Sequence, residues 1–295
     1  MPEPPIPAPG FRPELQILTT GIILGESPRW HGDRLWFADW GANEVVAVDL
    51  EGHTEVMLRV PSFPISFDWL PDGRLLSVSG RAGLLLRREP DGSLLTHADL
   101  RRLADPPWNE LVIDGRANAY VNNTGFDFPN AEFAPGTLAL VTPDGSARQV
   151  ARDVAFPNGM VVTPDNRTLI LAESYASRLT AFEIAADGSL ANGGVWAELG
   201  GGTPDGICMD AEGAVWYADV PNKCCVRVRE GGEVLQTVQL DRGCFACMLG
   251  GEDRRTLFMV AAQWSDLAGT MGAGAPTGQV LSVPAPAPGV GWPAG

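Results

Sequence analysis

Four residues with oxygen-bearing side chains stand at matching places along this chain: Glu26, Asn109, Asn158 and Asp205. Two carboxylates and two amides make a ligand set for a hard divalent cation, which takes oxygen donors and needs charge. Brought together in a partly dry site without a cation, the two carboxylates would repel each other. Taken singly, Asn158-Gly159 and Asp205-Gly206 also read as turn formers. Their shared register across distant segments is what favours a metal. Such an ion polarises a carbonyl and acidifies a bound water, so the chemistry indicated is hydrolysis. Other routes have less support. His31, His53 and His97 fall in two turns and a back-half strand, away from these four residues. A Ser-His-Asp arrangement therefore lacks its base, and Ser27 reads as a supporting or turn residue. No Gly-rich phosphate loop precedes a helix. The five cysteines include Cys244-x-x-Cys247 and the adjacent Cys224 and Cys225 but no second CxxC pair, so buried, inert thiols are expected.

The shared register comes from a unit repeated six times: an opening motif, an apolar strand, a turn, another strand. The openings are Gly25-Glu26-Ser27-Pro28, Ser66-Phe67-Asp68-Trp69, Asn109 to Ile113, Pro157-Asn158-Gly159-Met160, Pro204-Asp205-Gly206-Ile207 and Cys247-Met248-Leu249. Positions 26, 67, 109, 158, 205 and 247 are spaced by 41, 42, 49, 47 and 42, the length of a four-stranded propeller blade. A second turn falls in the back half of most units, as at Asp91-Gly92, Asp144-Gly145 and Asp187-Gly188. Two hairpins per unit make four strands per unit. A β-sandwich with coincidental spacing is the weaker alternative. The expected fold is all-β, a six-bladed β-propeller of four-stranded blades. The last unit lacks a fourth strand, because prolines after Val283 cannot sustain a ladder. Leu15 to Ile23 is strand-like and is expected to close that blade. The expected organisation is an extended tail at 1–13, one propeller at 14–284 and a Pro/Gly-rich tail at 285–295. Innermost strands line the channel of a propeller. The opening residues then form a ring at one mouth: Glu26, the region of Phe67, Asn109, Asn158, Asp205, and the region of Phe245 to Cys247.

Composition agrees with that fold and narrows the partners. Among 295 residues there are 35 Gly and 25 Pro, with 45% hydrophobic and only 19% charged, a turn-rich mix suited to many short strands. A net charge of −15 repels nucleic acid and anionic membrane, so neither is an expected partner. The N-terminal segment MPEPPIPAPG lacks the features of a signal peptide, and no uncharged apolar run approaches the ~18 residues of a membrane helix. A soluble, cytoplasmic protein is expected, with its oligomeric state open.

The GESPRW, FPNGM and PDGI segments, each in its own unit, resemble the gluconolactonase family that includes regucalcin, the senescence marker protein. The resemblance runs from about Leu18 to about Val283. It implies direct metal ligation by Glu26, Asn158 and Asp205, with Asp205 also the general base. It implies a substrate-positioning role for Asn109. The ion expected is a single divalent metal, calcium first, with zinc, manganese, magnesium or ferrous iron also compatible. The reaction implied is hydrolysis of a small lactone; a metal-binding sensor or scaffold, or phosphotriester or aryl ester hydrolysis at the same ion, are the alternatives. Two departures stand out. Glu110 follows Asn109 where the family has Asp, and Pro107 stands where sugar-lactone members carry Arg, with Trp108 between. Trp108 and Glu110 are accordingly expected beside substrate. Trp69, Phe126, Phe128, Phe245 and Trp264 are further candidates for an apolar wall.

Overall fold

A computed structural model describes residues 14–272 and 276–293. Their strands form six antiparallel sheets, each with sequence neighbours side by side. The blades span 25–59, 67–99, 108–154, 157–198, 204–239 and 243–284. The last blade has three strands of its own, and Gln16–Ile22 supplies the fourth by pairing antiparallel with Gly278–Pro284. The ring therefore closes between the two ends of the chain, as expected from the missing strand. Residues 1–13, expected as a tail, lie outside the described residues.

The back-half turns do what their sequence demands. At Gly92 the backbone takes φ +85, where a side chain would be strained, and its N–H donates to Glu89 O at 2.9 Å. The core lies between blades. Trp216, Phe258 and Leu257 are fully or almost fully buried in one cluster between blades 5 and 6, together with Cys208, Cys225, Cys244 and Cys247. All five cysteines are free and buried.

Residues 285–293 do not trail away as the expected tail. Ala285 N donates to Arg255 O, Gly289 and Val290 pair with Asp210 and Met209, and Trp292 exchanges two backbone hydrogen bonds with Val162. The Trp292 indole lies where a Cβ on Gly115 would meet it at 2.8 Å. This strap crosses blades 6, 5 and 4 at the ends of their inner strands opposite the opening motifs. Prolines bar it from a long ladder, but isolated pairings suffice to seat it. Among the described residues, no helix is long and apolar enough to cross a membrane.

Candidate active site

Five inner strands share one local device. Pairing sets Gly25 against Asp39, Trp108 against Asn123, Pro157 against Glu173, Pro204 against Asp219 and Cys244 against Ala261. The next residue in each is Glu26, Asn109, Asn158, Asp205 and Phe245. A register shift follows within a few residues in every case. Such bulges turn a side chain out of the ladder, here toward the channel mouth. In blade 2, Gly80 N donates to Pro64 O as Trp40 N does to Leu24 O in blade 1, so Ser66 takes the matching place. The ring is thus Glu26, Ser66, Asn109, Asn158, Asp205 and Phe245. The region from Phe245 was placed correctly, and that of Phe67 was one residue off.

The glycines after Asn158 and Asp205 serve close approach, not turns. A Cβ on Gly159 would meet Ile207 N at 2.6 Å and Asp205 O at 2.7 Å. One on Gly206 would meet Ala246 Cβ at 2.5 Å. Inner strands of blades 4, 5 and 6 therefore touch backbone to backbone beside the site.

Buried polar residues at the ends of the second strands hold the openings in place. Asp39 accepts from Ile23 N and Leu24 N, Glu173 from Ala155 N, and Asp219 from Thr203 N. Ser174 Oγ donates to Pro204 O at 2.7 Å and lies 3.4 Å from Asn158 Nδ2, which ties the two openings together. Asn122 Oδ1 accepts from Glu110 N, and its Nδ2 donates to Asn158 O at 2.6 Å. None of these supports was singled out in the sequence. A polar residue ending five of the six second strands was the available signal.

Glu26, Asn109, Asn158 and Asp205 all line one cavity of about 200 Å³ at this mouth. Glu26 is 4% exposed, and burial drives its carboxyl well above the ordinary range, with the Asp205 charge adding to the rise. Asp205 is raised likewise, by burial first and then by Glu110 and Asp219. Asp205 Oδ1 is buried without a hydrogen-bond partner among the described residues. Two raised carboxyls and an unpartnered oxygen are what a hard cation would satisfy, so the donor set fits a divalent metal. The exposed group Asp49, Glu51 and His53 could also approach an ion, but it sits in an outer turn where Asp49 already accepts from Glu51 N, His53 N and His53 Nδ1.

Two expected substrate neighbours lie elsewhere. Trp108 is fully buried in the cluster between blades 2 and 3, because the residue before Asn109 faces the neighbouring blade. Glu110 points down the channel, where it accepts from Ser27 Oγ and from Ser66 Oγ and lies 3.7 Å from Arg29 Nη2. There, with Arg29, Met160, Ile207 and Cys247, it lines a void of about 10 Å³, room for a single water. Asp68 is also buried in this region, its carboxyl pushed up to about 6 by burial.

The cavity wall is aromatic. Of the candidates for this wall, Phe128, Phe245 and Trp264 line it, and so does Pro107. Trp40, Phe63, Phe156 and Tyr175 join them, which the sequence did not reveal. Trp69 instead stacks on His31 with centroids 3.9 Å apart, and Phe126 packs behind the wall against Phe128 and Phe156.

Comparison with known proteins places the chain in a family and a fold. Residues 24–263 match the family model described as the SMP-30/Gluconolactonase/LRE-like region. A 6-deoxy-6-sulfogluconolactonase of Pseudomonas putida is 27% identical over 252 residues, covering 82% of this chain and 84% of the relative. A pentonolactonase of Haloferax volcanii is 27% identical over 259 residues, 84% of each chain. The crystal structure of a calcium-binding protein, regucalcin, from Agrobacterium tumefaciens shares the fold with a TM-score of 0.76 at 21% identity, covering 93% of this chain and 94% of that one. With its family model matched over most of its length, the chain belongs to the SMP-30/gluconolactonase/LRE-like family.

Proposed function

We propose that this protein hydrolyses a lactone at the floor of the mouth cavity, with Glu26, Asn158 and Asp205 holding one divalent ion, calcium by preference. The observation that carries the reading is the pair of buried carboxyls, Glu26 and Asp205, with Asp205 Oδ1 unpartnered at a cavity floor. Family membership and the lactonase relatives support it. When bound, the ion would polarise the ester carbonyl and stabilise charge on its oxygen. The protein's own groups do the rest. Asp205 accepts a proton from the attacking water. The water oxygen bonds to the carbonyl carbon, and the acyl C–O bond of the ring breaks. The proton passes to the ring oxygen, so one water is added and one hydroxy acid leaves. Asn109, at the cavity floor, orients the substrate. The aromatic wall excludes bulk water, which strengthens each polar contact inside.

Acid release from a lactone panel, followed in a pH-stat with each metal restored to chelator-treated protein, tests this directly. Turnover should require the metal, and Asp205→Asn should lose at least a hundredfold in kcat while keeping weak metal binding. Full turnover by Asp205→Asn would remove the base assignment. Metal binding without turnover of any lactone or ester would leave a binding protein.

A further inference from the structure

Two of the relatives named above are named as lactonases of sugar lactones, yet the wall of this cavity has little to offer a sugar. Three aromatic groups surround it. Trp40 and Phe63 lie 6.2 Å apart on the side of blades 1 and 2. Phe128 and Phe156 lie 5.3 Å apart, edge to face, on the side of blades 3 and 4. Phe245 and Trp264 of blade 6 lie 5.5 Å apart.

The polar groups on the wall are mostly turned inward and already used. Thr124 Oγ1 donates to Phe126 O at 2.9 Å, and Ser174 Oγ to Pro204 O at 2.7 Å. Trp40 Nε1 donates to Ile65 O at 2.8 Å. Arg81 lies over the Phe63 ring, 5.0 Å from its centre, and pairs with Asp127 at 3.1 Å. Pro107 has no donor at all. Thr203, the Tyr175 hydroxyl at the rim and the outer edge of Arg81 are what remains.

We infer that the substrate is a lactone fused to, or carrying, an aromatic ring. This rests on the hydrolytic reading for the reaction, but its argument comes from the wall alone. A sugar lactone brings several hydroxyls that must shed water on entering. With so few free partners, their loss of hydration would go uncompensated. An aromatic substituent sheds only apolar hydration, and ring edges and faces on three sides suit its quadrupole. The polar floor then receives the ester group, and the wall receives the ring.

The test pairs turnover with binding. Dihydrocoumarin and D-glucono-1,5-lactone are compared by kcat/KM with the calcium-loaded protein. Their lactam counterparts, dihydroquinolinone and gluconolactam, are compared by calorimetry, since amides report the pocket without turnover. The aryl compound should be favoured at least tenfold in both measurements. Phe128→Ser should move both ratios about tenfold toward the sugar compound. Trp264→Ser serves as the second variant, with a thermal melt on each to establish folding. Equal or better use of the sugar compound, unchanged ratios in both folded variants, or no binding of the aryl lactam would overturn the inference. Tight aryl-lactam binding with no lactone turnover would instead remove the hydrolytic reading and leave the wall's preference standing.

Discussion

At the scale of single residues, the site is held by the opposition between burial and charge. Glu26 and Asp205 are both raised, chiefly by burial, so without an ion they retain protons that free carboxyls would shed. Binding a divalent cation must then expel protons. Calcium added to chelated protein near pH 6 in weak buffer should acidify the solution, and Asp205→Asn should release fewer protons. Equal release by both proteins would place the ion elsewhere. Asp68 offers a second titration, deeper in the channel. Its carboxyl is raised from 3.8 to about 6, chiefly by burial. The folded state therefore binds this proton more tightly than the unfolded state does. The associated stability is complete below about pH 4 and is lost as pH rises through 6. The stability of wild type relative to Asp68→Asn should fall across that window by on the order of 2–3 kcal/mol. Urea melts at pH 4.5 and 7.5 would measure it, and a difference that did not change with pH would contradict it. The four oxygen-bearing residues were legible in the sequence because they recur in register. Trp108 was misplaced because adjacent strand residues face opposite ways, and bulges make that alternation hard to follow at an opening motif.

At the scale of strands, the Asn-Gly and Asp-Gly pairs carry a meaning opposite to their usual one. In the back-half turns glycine supplies a positive φ. In the inner strands it supplies absence of bulk. Gly206→Ala would drive a methyl into Ala246 at 2.5 Å, and neither partner is a flexible side chain that could swing away. Blades 5 and 6 would have to part, which should cost about 1–3 kcal/mol and displace the neighbouring Asp205. Calorimetric calcium affinity should fall at least tenfold. Gly213→Ala, in the turn after the inner strand of blade 5 with φ +75 and open space around it, should destabilise through backbone strain instead and leave calcium affinity unchanged. The dipeptides look identical in sequence, and only the neighbouring blade tells them apart. Blade 2 was read slightly out of register for a related reason. Its ring position holds Ser66, which lacks the marks that identify Asn158 and Asp205.

At the scale of the molecule, two segments at the ends of the chain finish the ring. The strand Gln16–Ile22 was legible, since an incomplete blade calls for a partner and an amphipathic run stood ready. The strap beyond Pro284 was not, because prolines read as loop and its pairings are too short to leave a periodic pattern. Yet Ala287 is 2% exposed, and Trp292 and Val290 help line a small enclosed space against Met209 and Met248. Removing residues 286–295 should cost on the order of 2–4 kcal/mol, from the apolar surface uncovered. The melting temperature should drop by several degrees, while calcium affinity, set at the other mouth, should stay within threefold. An unchanged melt would show the strap to be idle.

Among the described residues, that strap, the Arg29 and Glu110 contact and the 10 Å³ void beneath the ring stand between the cavity and the far mouth of the channel. On the proposed reaction, traffic through the near mouth would run both ways: the opened hydroxy acid would leave by the path the next lactone needs. Its new carboxylate would be born beside the residues proposed to hold the ion. Progress curves should therefore bend early, and added hydroxy acid should raise KM without lowering kcat, the pattern of a product that competes for the doorway.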